Sequence, residues 1–149
     1  GWTLHICVPA ARFVDLRPRL LKLRAPLVID HMGLFDPARG VSDTGFRAIL
    51  DVMRGGNAWL KLSGAFRMSG QSAPYRDIWP FIEALIAEHA DRLLWGSDWP
   101  YVRITDPAGM PRYADLLDML ALLNFDDALI KAILRDNPAR IFGSGLTRA

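Results

Sequence analysis

Three stretches of this chain break in the same way. Val28-Ile29-Asp30-His31-Met32-Gly33, Trp59-Leu60-Lys61-Leu62-Ser63-Gly64 and Leu93-Leu94-Trp95-Gly96-Ser97-Asp98-Trp99-Pro100 each run from a few apolar residues into a polar one and then a structure breaker. Short apolar runs without polar alternation are the mark of strands buried on both faces, which is what parallel sheets covered by helices contain. A parallel strand cannot return through a hairpin, so it needs a crossover of a dozen or more residues. Pro100 has no N–H to give a ladder, so the last run must stop before it.

The spacing narrows the fold further. Strand tips at Val8, His31, Ser63 and Asp98 recur at intervals of roughly 30 residues, the length of one βα unit in a closed barrel. A (β/α)8 barrel takes about 250 residues, so 149 residues hold about four units. Expected strands cover 3–8, 27–30, 58–62 and 93–97, the first of them buried. Expected helices cover 12–23, kinked or divided at Pro18; from a Ser42 or Asp43 cap to Met53; 75–90; 111–123; and 126–134. Residues 66–74 and 99–109 read as loops and 137–143 as a final turn. The domain reading is an α/β half barrel over 1–143 and a tail over 144–149.

Composition excludes several function classes. Hydrophobic content of 51% and charged content of 23% fit a packed globular chain. The 18 basic residues are scattered and the net charge is +2, so there is no stripe for nucleic acid. No apolar stretch approaches the ~20 residues that span a bilayer, and no signal peptide is visible. The single Cys7 cannot form an internal disulfide; its apolar run predicts a buried, inert thiol and a cytoplasmic protein. Walker, G-x-S-x-G, dinucleotide and paired C-x-x-C motifs are absent. The chain opens at Gly1-Trp2 without an initiator methionine, as a piece of a longer polypeptide would.

The chemistry-bearing residues gather at the strand tips, where parallel α/β proteins place their sites. Asp98 is the first candidate, as a general base or a metal ligand; the bland alternative is a turn aspartate bonded to nearby amides. His31 could polarise a carbonyl or share a divalent ion with Asp98. Arg67, just past the third tip, could grip a carboxylate with two parallel bonds, or be a solvated loop residue. Lys61 inside a strand must snorkel, pair or point at a ligand. Ser69 and Tyr75 offer hydroxyls beside the same loop, or occupy ordinary surface positions. His5 points either into a barrel or toward the helices, and His89 sits where it favours a helix C-terminus.

Together the stretches around His31, Ser63 and Asp98, with Asn137-Pro138-Ala139-Arg140-Ile141-Phe142-Gly143, resemble the second half of the amidohydrolase-2 family. Within it they look closest to the 2-pyrone-4,6-dicarboxylate lactonase-like TIM-barrel hydrolases. The resemblance implies that the four strands are strands 5 to 8. It implies an enzyme that opens a lactone or related C–O bond of a small carboxylated substrate. Asp98 would handle the hydrolytic water, His31 would lie beside the substrate, and Arg67 would bind its carboxylate, with Tyr75 and His5 as further contacts. It leaves the cofactor open between one divalent metal such as zinc, held by His31, Asp98 and His5, and none. The alternatives are a metal-dependent decarboxylase of the same barrel group and a catalytically incomplete fragment, since the family's strand-1 His-x-His pair is missing. Half a barrel leaves two open edges, so self-association or pairing with a missing N-terminal half is expected.

Overall fold

The computed structural model describes residues 2–102, 104–106 and 109–143. The expected tail over 144–149 and parts of the 99–109 loop lie outside them. Four strands, β1 (Leu4–Ile6), β2 (Leu27–Ile29), β3 (Ala58–Leu62) and β4 (Leu93–Trp95), form one parallel sheet in sequence order. Helices α1 (Ala11–Leu20), α2 (Thr44–Arg54) and α4 (Trp79–His89) connect them, with a short α3 (Ala65–Met68) past the tip of β3. After β4 come α5 (Tyr113–Leu122), α6 (Asp127–Lys131) and α7 (Asn137–Phe142), the last two joined by a π-helical turn over Ala132–Asp136.

The helix-facing side of the sheet carries the main core. Leu27, Ile29, Leu60, Leu62 and Leu93 are all nearly or fully buried and belong to one cluster with Phe13, Phe46, Ile49, Leu50, Ile82 and Leu85 from the helices. The α2 stripe forms because Asp43 caps the helix, accepting from the N–H groups of Gly45 and Phe46, while Phe46, Ile49, Leu50 and Met53 recur at helical spacing. Phe35 stacks on Phe81 at 4.0 Å and Phe46 meets Phe81 edge-on at 4.9 Å. Among the described residues the opposite side holds a small cluster of Val28, Trp59 and Leu94, with Ile141 of α7 packed against it. Asn137 ties α7 to the start of β4: its buried side-chain amide donates to the carbonyls of Ala90 and Leu93 at 3.0 and 2.9 Å.

Several expectations are corrected. The first strand shortens to Leu4–Ile6 and is largely exposed, and Cys7 is an exposed thiol rather than a buried one. Both follow from the position of β1 at a sheet edge with only β2 beside it. Pro18 does not divide its segment; α1 is one helix that ends two residues later, and the ladder bond Pro18 forfeits would have gone to the carbonyl of exposed Val14. The expected 66–74 loop begins inside α3, after Gly64 turns the chain in the left-handed region at φ 66°. The helix expected from residue 75 begins at Trp79, because Tyr75 is itself left-handed and a 3-10 turn over Arg76–Ile78 follows it.

Candidate active site at the strand tips

Alternation along the strands decides which side chains reach the inner face. Leu60 and Leu62 face the helices, so Trp59, Lys61 and Ser63 face the other way, and the register aligns them with Val28 and Leu94. The polar residues at the ends of β2, β3 and β4 thereby converge above the small inner cluster.

His31, Arg67 and Asp98 are brought together from three different tips. Arg67 Nε donates to Asp98 Oδ2 at 2.5 Å, and His31 Nε2 lies 3.6 Å from Asp98 Oδ1. Asp98 is held there by its own backbone, left-handed at φ 64°, with its carbonyl accepting from Tyr101 N–H at 2.9 Å. A non-glycine residue in that region is uncommon, and such residues concentrate at functional sites. Arg67 is positioned by α3: its guanidinium lies 5.2 Å from the Phe66 ring and Nη2 donates to the Val102 carbonyl at 3.1 Å, while Phe66 meets Tyr101 edge-on at 5.6 Å. The side chains of His31 and Arg67 are each 17% exposed and that of Asp98 is 11% exposed, so all three can be reached but are largely dry.

His31 follows the end of β2 in the left-handed region at φ 51°. Its Nδ1 lies 3.0 Å from Ser63 Oγ, a buried hydroxyl. Burial lowers its pKa below 6.5; Asp98 and Asp30 oppose this, and Arg67 and Lys61 reinforce it. The imidazole is therefore neutral at neutral pH. Gly64 makes the approach possible, since a Cβ there would lie 2.9 Å from His31 Nδ1 and 3.2 Å from Arg67 Cδ.

Two hollows meet at His31. One, of about 730 Å³, is lined by residues including Cys7, His31, Arg67, Met68 and Val102. The other, of about 400 Å³ on the inner face, is lined by residues including Asp30, His31, Lys61, Ser63 and Asp98.

The remaining candidates fall elsewhere. His5, 41% exposed, lies with Nδ1 3.3 Å from Asp30 Oδ2 and stacks with Phe142 at 6.4 Å. Tyr75 is only 6% exposed and part of the main core; burial raises its pKa, with Asp115 and Tyr101 adding to the effect. Ser69 Oγ lies 2.5 Å from Asp77 Oδ1. His89 is buried against the Leu50 carbonyl at 3.3 Å. Sequence reasoning placed Asp30, Ser63 and Gly64 at strand ends but gave them no chemical role. For a metal, His31 and Asp98 supply two donors, but Asp98 Oδ2 is taken by a guanidinium. Among the described residues no three His, Cys, Asp or Glu side chains gather in one place. This donor set does not by itself make a metal centre.

Comparison with known proteins agrees with this architecture. The chain is 46% identical over 118 residues to a 4-sulfomuconolactone hydrolase of Rhizobium radiobacter, covering 79% of this chain and 40% of that protein. It is 33% identical over 151 residues to a 2-pyrone-4,6-dicarboxylate hydrolase of Comamonas testosteroni, covering 95% and 49%. A solved apo structure from Agrobacterium tumefaciens superposes with a TM-score of 0.84 at 29% identity, covering 95% of this chain and 50% of that one. The chain spans about half the length of the curated relatives it matches. Its four βα units are the C-terminal half of a (β/α)8 barrel. The amidohydrolase family model Amidohydro_2 matches residues 1–144, and the chain belongs to that family.

Proposed function

We propose that the protein carrying this chain hydrolyses the ring ester of a small carboxylated lactone. The observation that carries the reading is Asp98 set between His31 and Arg67, lining the inner-face hollow that meets the larger cleft at His31. The relatives named for sulfomuconolactone and pyrone-dicarboxylate hydrolysis support the substrate class.

In this reading the substrate lies in the cleft with its carboxylate on Arg67. The bonds to Asp98 and Val102 use two of the five guanidinium N–H donors, and the others serve the substrate. Water gives a proton to Asp98 as its oxygen attacks the lactone carbonyl carbon. Ser63 O–H donates to His31 Nδ1, which leaves the imidazole proton on Nε2, facing the developing oxyanion. A neutral imidazole keeps that proton for donation. The tetrahedral intermediate then expels the ring oxygen, which takes the proton from Asp98 and leaves an open-chain hydroxy acid. Water and lactone are the only reactants.

The test is a panel of lactones with and without a ring carboxylate, with the product identified by mass. A ring-opened hydroxy acid from the carboxylated members, and far slower turnover of the others, is expected. Release of carbon dioxide, or equal turnover of both sets, contradicts the reading.

The open edges at β1 and β4 bear on assembly. Unpaired parallel edges seek partners, and we propose that four further strands close the barrel, from another segment of the protein or from a second copy. Sedimentation of the 149-residue chain alone should show self-association; a well-folded monomer at all concentrations refutes this for the isolated piece.

A further inference from the structure

One ion pair lies within the inner face but outside the mechanism above. Lys61 projects from near the C-terminal end of β3, between Leu60 and Leu62, which face the helices. Its stem passes Gly96, the residue just after β4, which has no side chain: a Cβ there would lie 3.0 Å from Lys61 Cδ. Its Nζ donates to Asp30 Oδ1 at 2.5 Å, and the other oxygen of Asp30 faces His5 of β1 at 3.3 Å. Asp30 thus joins three neighbouring strand ends, and its side chain is only 16% exposed.

The next residue after Asp30 is His31. Both His31 and Met32 are left-handed, at φ 51° and 52°, without being glycine. Such a backbone persists only where its surroundings over-determine it. Met32 is fully buried in the main core, and Ser63 meets the His31 ring. On the chain side, Asp30 leads directly into His31, and Lys61 is the closest partner of its carboxylate.

We propose that Lys61 is a positioning residue: by clamping Asp30 it fixes the His31 imidazole against Asp98, and it acts on turnover rather than on substrate binding. The proposal rests on the lactonase reading for its kinetic test, and on geometry alone for its spectroscopic one. Lys61→Met in the whole protein should lower kcat by roughly 100-fold, the scale of a slightly misplaced reacting group, with KM nearly unchanged. Lys61→Arg, which keeps the charge, should recover most of the loss. Asp30→Asn, nearly isosteric, should match Lys61→Met, and the double variant should be no worse than either single one, because the pair acts as a unit.

Independently of any activity, the His31 ring resonance, assigned by its loss in His31→Gln, should be shifted or doubled in Lys61→Met and restored in Lys61→Arg. An unchanged resonance in Lys61→Met overturns the proposal whatever the substrate. So does a rise in KM at constant kcat, which would make Lys61 a substrate contact, or an equal loss in Lys61→Arg and Lys61→Met. If the methionine variant fails to fold, Asp30→Asn carries both readouts. Absence of lactone turnover in the unaltered protein, with the resonance behaving as expected, would defeat the lactonase reading and leave the clamp standing.

Discussion

The two faces of the sheet are built from the same three to five residues per strand, yet they do different work. Toward the helices stand Leu27, Ile29, Leu60, Leu62 and Leu93, joined to one large cluster. Toward the barrel interior stand Val28, Trp59 and Leu94 low on the strands, then Lys61, Ser63 and the tip residues above them. The outer face is closed and apolar. The inner face is polar where it meets the hollow and, among the described residues, is covered below by α7 through Ile141 and Arg140, whose guanidinium lies 5.2 Å from the Trp59 ring. The lesson is that stability and chemistry are separated by the period-two alternation of a strand, so adjacent residues such as Leu60 and Lys61 should fail in different ways when changed.

Substitutions can break that contrast. The largest stability effect should come from the outer face: Leu60→Ala removes a fully buried side chain, and the loss should be about 2 to 5 kcal/mol in urea unfolding. A loss as large from an inner tip residue would erase the contrast. Next is the cover of the inner face. Asn137→Ala strands one buried and one half-buried carbonyl and should cost about 1 to 3 kcal/mol; a neutral result would mean that α7 is held by Ile141 packing instead.

The smallest effect is the pH dependence of the outer core. Burial lowers the His89 pKa below 6.5; the Leu50 carbonyl and Glu88 oppose this, and Arg92 and Arg54 add to it. The unfolded chain then binds a proton near pH 6.5 that the folded one resists, so stability is full above that pH and falls as the pH drops below it. The urea midpoint should decline from pH 7.5 to 5.5, and less steeply in His89→Gln. A midpoint that rises on acidification contradicts the assigned sign.

How much of this was legible in the sequence follows from the same geometry. Apolar runs and their breaks are local signals, so the four parallel strands and the tips carrying His31 and Asp98 could be read directly. The Asp43 cap and the α2 stripe were legible for the same reason. Exposure of Cys7 was not, because it depends on which strand lies beside β1, and no run of residues encodes a missing neighbour. The left-handed His31–Leu34 and Tyr75 turns escaped because most of their residues are not glycine, the residue that signals such a backbone. The Asp30–Lys61 clamp joins residues 31 apart in sequence through strand register, which no spacing rule within one segment reveals. Tyr75 was picked out for its hydroxyl beside a loop, and its burial was set by packing from elements distant in the chain.

The central claim is that Asp98 is the base of a lactone-opening site. The most direct measurement compares Asp98→Asn with the unaltered protein, in turnover of a carboxylated lactone and in a binding isotherm for the same compound. The account predicts that kcat falls by roughly 10²–10⁴-fold, the range for losing a general base, while affinity stays nearly unchanged. Turnover retained by the asparagine variant would contradict it.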